Sequence, residues 1–329
     1  MTALDDAYDR MAGCSPEYGG GLSNHAPMVA EALDHLGRAD AIEPWLDRYV
    51  GRLEPAEPAT GRVAQLGQPS SYAAWRDALD DELRVEAWSP VAVRWVERLL
   101  PGLVAGAAHG WLRTAHAVRA LRADTTARRA ELARGLAYWA SCYDELPGVP
   151  SPRGRLNVAD ALAALPAKHD PAAWLISDAV HALADEPTFP LAVDAVDPRA
   201  LSVSAITSAV AERVVTAGQV AAIVYVHAIT APSALRSVAP LLDRRGVDDA
   251  MAHAWQTVAA LVACYPTEGT RPRPVGSLDP DDLVELAVRS GEEHGIKLAA
   301  AAVTEAGAGA DPVVLHAAHR LIGALVGAR

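Results

Sequence analysis

Four of the eleven histidines in this chain stand in unusually apolar surroundings. A neutral imidazole there is a general base, a hydrogen-bonding group or a metal ligand. His25 lies in Leu22-Ser23-Asn24-His25-Ala26-Pro27-Met28. It either points into a space between helices or hydrogen-bonds a loop. His109 lies in Gly106-Ala107-Ala108-His109-Gly110-Trp111, where small residues let another helix or a ligand come close. Arg113 and His116 follow at i+4 and i+7, on roughly one helical face. That face is a ligand with polar support or a solvated basic stripe. His227 lies in Ile223-Val224-Tyr225-Val226-His227-Ala228-Ile229-Thr230. Leaving a buried polar group there unpaired costs roughly 1–3 kcal/mol, so His227 needs a partner. A backbone carbonyl is the commoner partner and a metal the sharper one. His294 and Lys297 share a face at i and i+3, just before the apolar run Leu298–Val303. A buried lysine amine must be paired, deprotonated or modified, and a lysine that snorkels from a helix end is the plain alternative.

Helices must position these residues. Apolar residues recur every three or four positions over Pro27–Leu36, Ala73–Ala87, Pro90–Leu103 and Ala127–Tyr143. The same spacing predicts helices over Ala172–Ala184, Ser204–Val215, Asp248–Cys264, Pro280–Ser290 and Pro312–Val326. Ser23 and Asn24 are expected to cap a helix entered at His25, with Pro27 in its first turn. Asp279 and Asp311, each before a proline, open two later helices. Gly19-Gly20-Gly21 reads as a turn ahead of the His25 helix. Loops are expected at Gly51–Pro69, Pro147–Arg155 and Thr267–Gly276. Ile223–Val226 is the clearest strand-like run, but it lies inside a longer helical pattern. The expected fold is all-α, one helical domain over residues 1–329 with a histidine-lined central cavity.

Composition excludes several functions. The net charge of −12, with no basic patch, argues against nucleic acid. No apolar run reaches the roughly 18–20 residues that a membrane span needs. The start Met1-Thr2-Ala3-Leu4-Asp5-Asp6 lacks the pattern of a secretory signal. Cys14, Cys142 and Cys264 form neither a disulfide framework nor a zinc-finger spacing, and a reducing cytoplasm is the expected setting. There is no His-Glu-x-x-His pair, no Gly-x-Ser-x-Gly elbow, no phosphate loop and no dinucleotide fingerprint.

Read together, four motifs carry a resemblance. Ser23-Asn24-His25-Ala26-Pro27-Met28 is followed by Ala108-His109-Gly110-Trp111-Leu112-Arg113-Thr114-Ala115-His116. Val226-His227-Ala228-Ile229-Thr230 and Glu293-His294-Gly295-Ile296-Lys297-Leu298 come later in the same order. The set resembles the questin oxidase-like family from about residue 8 to residue 304. Arg113 stands where that family leads one to expect a second histidine, and the chain is shorter than expected of the fungal members.

The resemblance implies an oxidoreductase that oxidises or opens a ring of an aromatic or polycyclic, polyketide-like substrate with dioxygen. It implies Fe(II) held by His25, His109, His227 and His294, with Lys297 as a further ligand if carbamylated and His116, His253, His316 and His319 as reserve ligands. Arg113 or His116 would orient a phenolate or carboxylate, and Trp111 and Tyr225 would flank the ring. One competing reading is a Baeyer–Villiger-type monooxygenase using flavin or NADPH. Another is a non-enzymatic protein that sequesters a small molecule. The expected partners are the substrate and dioxygen, with a homodimer admitted and neither nucleic acid nor membrane.

Overall fold

A computed structural model of the protein describes residues 2–58, 64–170, 173–268 and 276–327. The fold is all-α. Among the described residues there are sixteen α-helices and one pair of two-residue strands. No described helix is long and apolar enough to cross a membrane. The chain divides into two compact units, Met1–Glu145 with Ser237–Gly246, and Leu146–Arg236 with Val247–Arg329.

The first unit contains α1 (Ala3–Arg10), α2 (Ala26–His35), α3 (Ile42–Tyr49), α4 (Tyr72–Val85), α5 (Trp88–Leu99), α6 (His109–Ala120) and α7 (Thr126–Ser141). Its centre is α7, which packs on α4 and α6. Close packing needs small residues at the contact, and Gly110 of α6 supplies one. A Cβ there would lie 2.5 Å from Trp139 Cα. Trp111 and Trp139 meet edge to face beside it, ring centroids 5.5 Å apart, and both are fully buried. Strands β1 (Glu17–Tyr18) and β2 (Leu22–Ser23) pair antiparallel around Gly19-Gly20-Gly21, so the expected turn is a tiny hairpin.

Charged groups in this unit are buried as matched pairs. Arg113 donates from Nε to Glu131 at 2.6 Å, and Arg128 Nε donates to Asp5 at 2.9 Å. Glu31 accepts from Arg119 Nε at 2.7 Å and from His116 Nδ1 at 2.6 Å. The planar guanidinium suits such forked pairing better than a lysine ammonium. The chain has only two lysines, Lys168 and Lys297.

The second unit contains α8 (Val158–Ala163), α9 (Ile176–His181), α10 (Phe189–Asp194), α11 (Val203–Thr216), α14 (Pro280–Ser290), α15 (Glu293–Gly307) and α16 (Val313–Gly327), with most of α12 (Ala222–Val238) and α13 (Arg244–Cys264). Helix α16 packs on α11 and α15, and α14 packs on α15. Arg236 and Ser233 of α12 both donate to the buried Glu305 of α15, at 2.6 and 2.9 Å. The strand-like run at Ile223–Val226 is helical, as its longer pattern predicts.

The predicted helices form with small boundary shifts. Asp279 Oδ1 accepts from the amide of Asp281, and Asp311 Oδ1 from that of Val313, so both acidic starts cap as expected. The predicted helix Ala172–Ala184 is shorter. Asp178 accepts from the Leu175 amide, the α-helix begins at Ile176, and a tight turn over Ala182–Asp185 ends it. Residue 172 lies outside the described residues, as do parts of the expected loops Gly51–Pro69 and Thr267–Gly276.

Candidate metal centre

All four singled-out histidines are buried, His25 at 5%, His109 at 7%, His227 at 1% and His294 at 8% exposure. Each unit holds two of them.

In the first unit, His25 precedes α2 and His109 opens α6. Helix α2 begins one residue later than the capping pattern predicts. His25 is its N-cap residue, and Asn24 Oδ1 accepts from the Ala26 amide at 3.0 Å. Ser23 does not cap; its hydroxyl bonds Tyr138 Oη at 2.7 Å. Before His109 the chain makes a left-handed turn, with φ of +56° at Gly106, +56° at Ala107 and +66° at Ala108. Alanine disfavours that conformation by roughly 1–2 kcal/mol per residue, so tertiary packing must impose it. The turn aims the Gly106 carbonyl back at His109 Nδ1, which donates to it at 2.6 Å. A carbonyl can only accept, so the proton is on Nδ1 and Nε2 carries the lone pair. That Nε2 faces His25 Nε2 at 2.8 Å, with the two rings stacked at 4.7 Å. Two imidazole lone pairs at this distance repel unless a proton or a cation sits between or beside them. Nitrogens bound to one ion at about 2.1 Å and roughly at right angles lie about 3 Å apart.

In the second unit, His227 of α12 and His294 of α15 have ring centroids 5.6 Å apart. His227 Nδ1 donates to the Ile223 carbonyl at 2.8 Å, which again leaves the lone pair on Nε2. Burial pushes its pKa well below the ordinary histidine value, and the Lys297 charge adds to this. His294 Nδ1 donates to Glu292 Oε1 at 3.0 Å. Burial pushes the Glu292 carboxyl up, but the His294 bond, the Gly295 amide and the Lys297 charge outweigh it and hold it below the usual range. Glu292 is therefore an ionised anchor for His294, the pairing by which carboxylates orient metal-bound histidines. Glu292, Glu293 and His294 are all buried, with potential ligand atoms within 4.8 Å of one another. This group could hold a metal ion.

Lys297 lies one turn along α15, 2% exposed, and its Nζ has no hydrogen-bond partner among the described residues. Burial pushes its pKa down to about 8, against the pull of Glu292 and Glu293. It does not snorkel to solvent.

The solvated-stripe reading of α6 is also set aside. Arg113 is 3% exposed and holds Glu131 with two bonds, of 2.6 and 3.1 Å, leaving Nη1 without a partner among the described residues. His116 is tied to Glu31. Trp111 belongs to the core, and Tyr225 donates from its hydroxyl to the Tyr265 carbonyl at 3.1 Å. The other reserve histidines are peripheral. His253 and His316 donate to the carbonyls of Asp249 and Gly276, and His319 is exposed.

Sequence reasoning missed Glu292 as the His294 anchor, although the adjacent Glu292-Glu293-His294 at a helix start was a visible signal. It also missed Glu31 and Glu131, whose partners lie 85 and 18 residues away. The Gly106 carbonyl leaves no side-chain signal at all.

Compared with known proteins, the chain matches no family model and no curated sequence.

Proposed function

We propose that the protein is a metal-dependent oxygenase. His25, His109, His227 and His294 hold non-haem iron, and the substrate is an aromatic or polycyclic, polyketide-like ring that is oxidised or cleaved. One observation carries the metal. His109, His227 and His294 each give the Nδ1 proton to a fixed acceptor, so as neutral imidazoles each offers an Nε2 lone pair to a ligand. The order of the four motifs and their likeness to the questin oxidase-like family support iron and the ring substrate.

Bound iron would supply dioxygen activation, which organic side chains cannot do alone. The protein's own part is positioning. The Gly106 and Ile223 carbonyls and the Glu292 carboxylate fix ring orientation. Depth of burial keeps water from the imidazoles. Arg113 Nη1 is the cationic donor left over after the Glu131 pair, suited to a phenolate or carboxylate oxygen. Lys297, with a pKa near 8, has roughly a tenth of its amine neutral at pH 7, and a neutral amine is what carbon dioxide adds to in forming a carbamate.

The test is metal analysis by inductively coupled plasma mass spectrometry, with an ultraviolet-visible spectrum, on protein purified without a histidine tag. Near-stoichiometric iron, lost in His109→Ala with the helical circular dichroism kept, is the expected result. A bound flavin spectrum would overturn the reading in favour of an organic-cofactor monooxygenase. Absence of metal after anaerobic reconstitution with ferrous iron would overturn it in favour of a binding protein.

A further inference from the structure

The first unit contains a cavity of about 300 Å³ that the histidine chemistry does not use. Glu17, Glu57, Tyr72 and Tyr138 line it together with prolines, serines and Cys142. No lysine, arginine or histidine is among its described lining residues. Its polar groups are only partly satisfied. Tyr138 Oη donates to Glu17 Oε1 at 2.9 Å, and Ser23 Oγ completes the tyrosine's bonding at 2.7 Å. Glu17 Oε2 makes no hydrogen bond among the described residues. The Tyr72 hydroxyl makes none either, although that residue is only 6% exposed.

We propose that this cavity binds a small organic ammonium ion carrying one ring. The charge argument is direct. Two carboxylates, with no cation among the described lining residues, repel anions and favour a cation. Glu17 Oε2 is an acceptor and an ammonium group is a donor only, whereas the Tyr72 hydroxyl lies within reach of the Arg113, Arg134 and Arg76 charges and adds only a polar wall. The tyrosine rings add flat apolar walls, and the negative face of such a ring attracts a cation by about 0.5–2 kcal/mol. The volume is at the small end for ligand pockets, which limits the guest to about one ring. Burial pushes the Glu17 carboxyl above its ordinary pKa, against the Tyr138 hydrogen bond, so the group gains most from an arriving positive charge. This inference does not depend on iron.

The test titrates benzylamine into the full-length protein at pH 7 by isothermal calorimetry, with benzyl alcohol as its uncharged match. Benzylamine is expected to bind and benzyl alcohol to bind at least about tenfold more weakly, since the charge-assisted bond is lost. Glu17→Gln keeps an acceptor for Tyr138 and should weaken benzylamine by about tenfold, leaving benzyl alcohol unchanged. Ser70→Trp places a large ring at an exposed lining position and should abolish binding while the circular dichroism stays native. Equal affinity for amine and alcohol would overturn the proposal. So would benzylamine binding that survives both variants, or no benzylamine binding at all.

Discussion

His25 and His109, 84 residues apart in sequence, face each other Nε2 to Nε2 at 2.8 Å with their rings tilted by only 21°. Since His109 commits its Nδ1 proton to the Gly106 carbonyl, a proton on His25 Nε2 bridges the pair when no cation is present. A divalent ion would replace that proton, so metal uptake should release protons and weaken as pH falls. His109→Ala and His294→Ala should each lower bound iron by at least about tenfold, the size expected when even a supporting group of a metal site is lost. The exposed His319→Ala should leave iron unchanged, and metal analysis after gel filtration checks all three. Full iron in His109→Ala would remove that residue from the ligand set.

Glu292 serves His294 twice, by orienting the ring and by capping α15 through the Gly295 amide at 2.6 Å. Glu292→Gln should preserve most of the cap, because an amide oxygen still accepts, but weaken the hold on His294. The expected outcome is metal affinity lowered by about 10–100-fold with stability changed by less than about 1 kcal/mol. Competition with a chromophoric chelator measures the first and urea unfolding the second.

Lys297 should make the metal-free protein's stability depend on alkaline pH. Its folded pKa of about 8 lies below the ordinary value of 10.5, so the folded state binds fewer protons between those limits. Stability therefore rises with pH from about 8 to 10.5, and the full penalty of about 3 kcal/mol applies below that window. Lys297→Met should raise the urea midpoint at pH 7 and remove this alkaline gain. Unfolding curves at pH 7 and pH 10 for both proteins decide it, and an unchanged pH dependence in the variant would sink the assignment.

Gly110→Ala should be costly. The new methyl would meet Trp139 Cα at 2.5 Å and its Cβ at 2.6 Å, and backbone cannot swing aside as a flexible side chain does. Overpacking of this kind costs about 1–3 kcal/mol. Because α6 begins at His109, separating α6 from α7 should also disturb the histidine pair. Thermal unfolding with parallel iron analysis tests both effects.

Removing Glu131 should destabilise more than removing its whole pair. Glu131→Ala leaves Arg113, 3% exposed, without its carboxylate, at a cost of about 3–5 kcal/mol. The double variant Arg113→Met with Glu131→Leu should recover part of that loss, since a matched apolar pair avoids desolvating charge, while Arg134, 3.5 Å from Glu131, loses its carboxylate in both variants. Equal stabilities of the single and double variants would show that the pair is not buried in solution.

The chain's periodicity was enough for the all-α class and for most helices, because helical spacing and capping are local. Pro280–Ser290 forms with the predicted bounds, and the Asp279 cap does what an acidic residue before a proline does at a helix start. The four histidines were also visible as outliers in apolar runs, and their burial follows from those runs. What lay beyond the sequence were the partners. Gly106 bonds His109 only because three successive residues take up a left-handed turn, two of them alanines that no propensity would place there. The same is true of Glu131 for Arg113 and Glu31 for His116: a carboxylate on another helix ties each group of an apparent solvent-facing stripe into the interior. Lys297 reads from sequence most simply as a lysine that snorkels from a helix end, but the first ten residues of α15, Lys297 among them, are buried. Sequence spacing reports which residues share a helix face. Which groups that face meets is decided by packing between distant segments, and there the protonation state, the free lone pair and the chemistry are set.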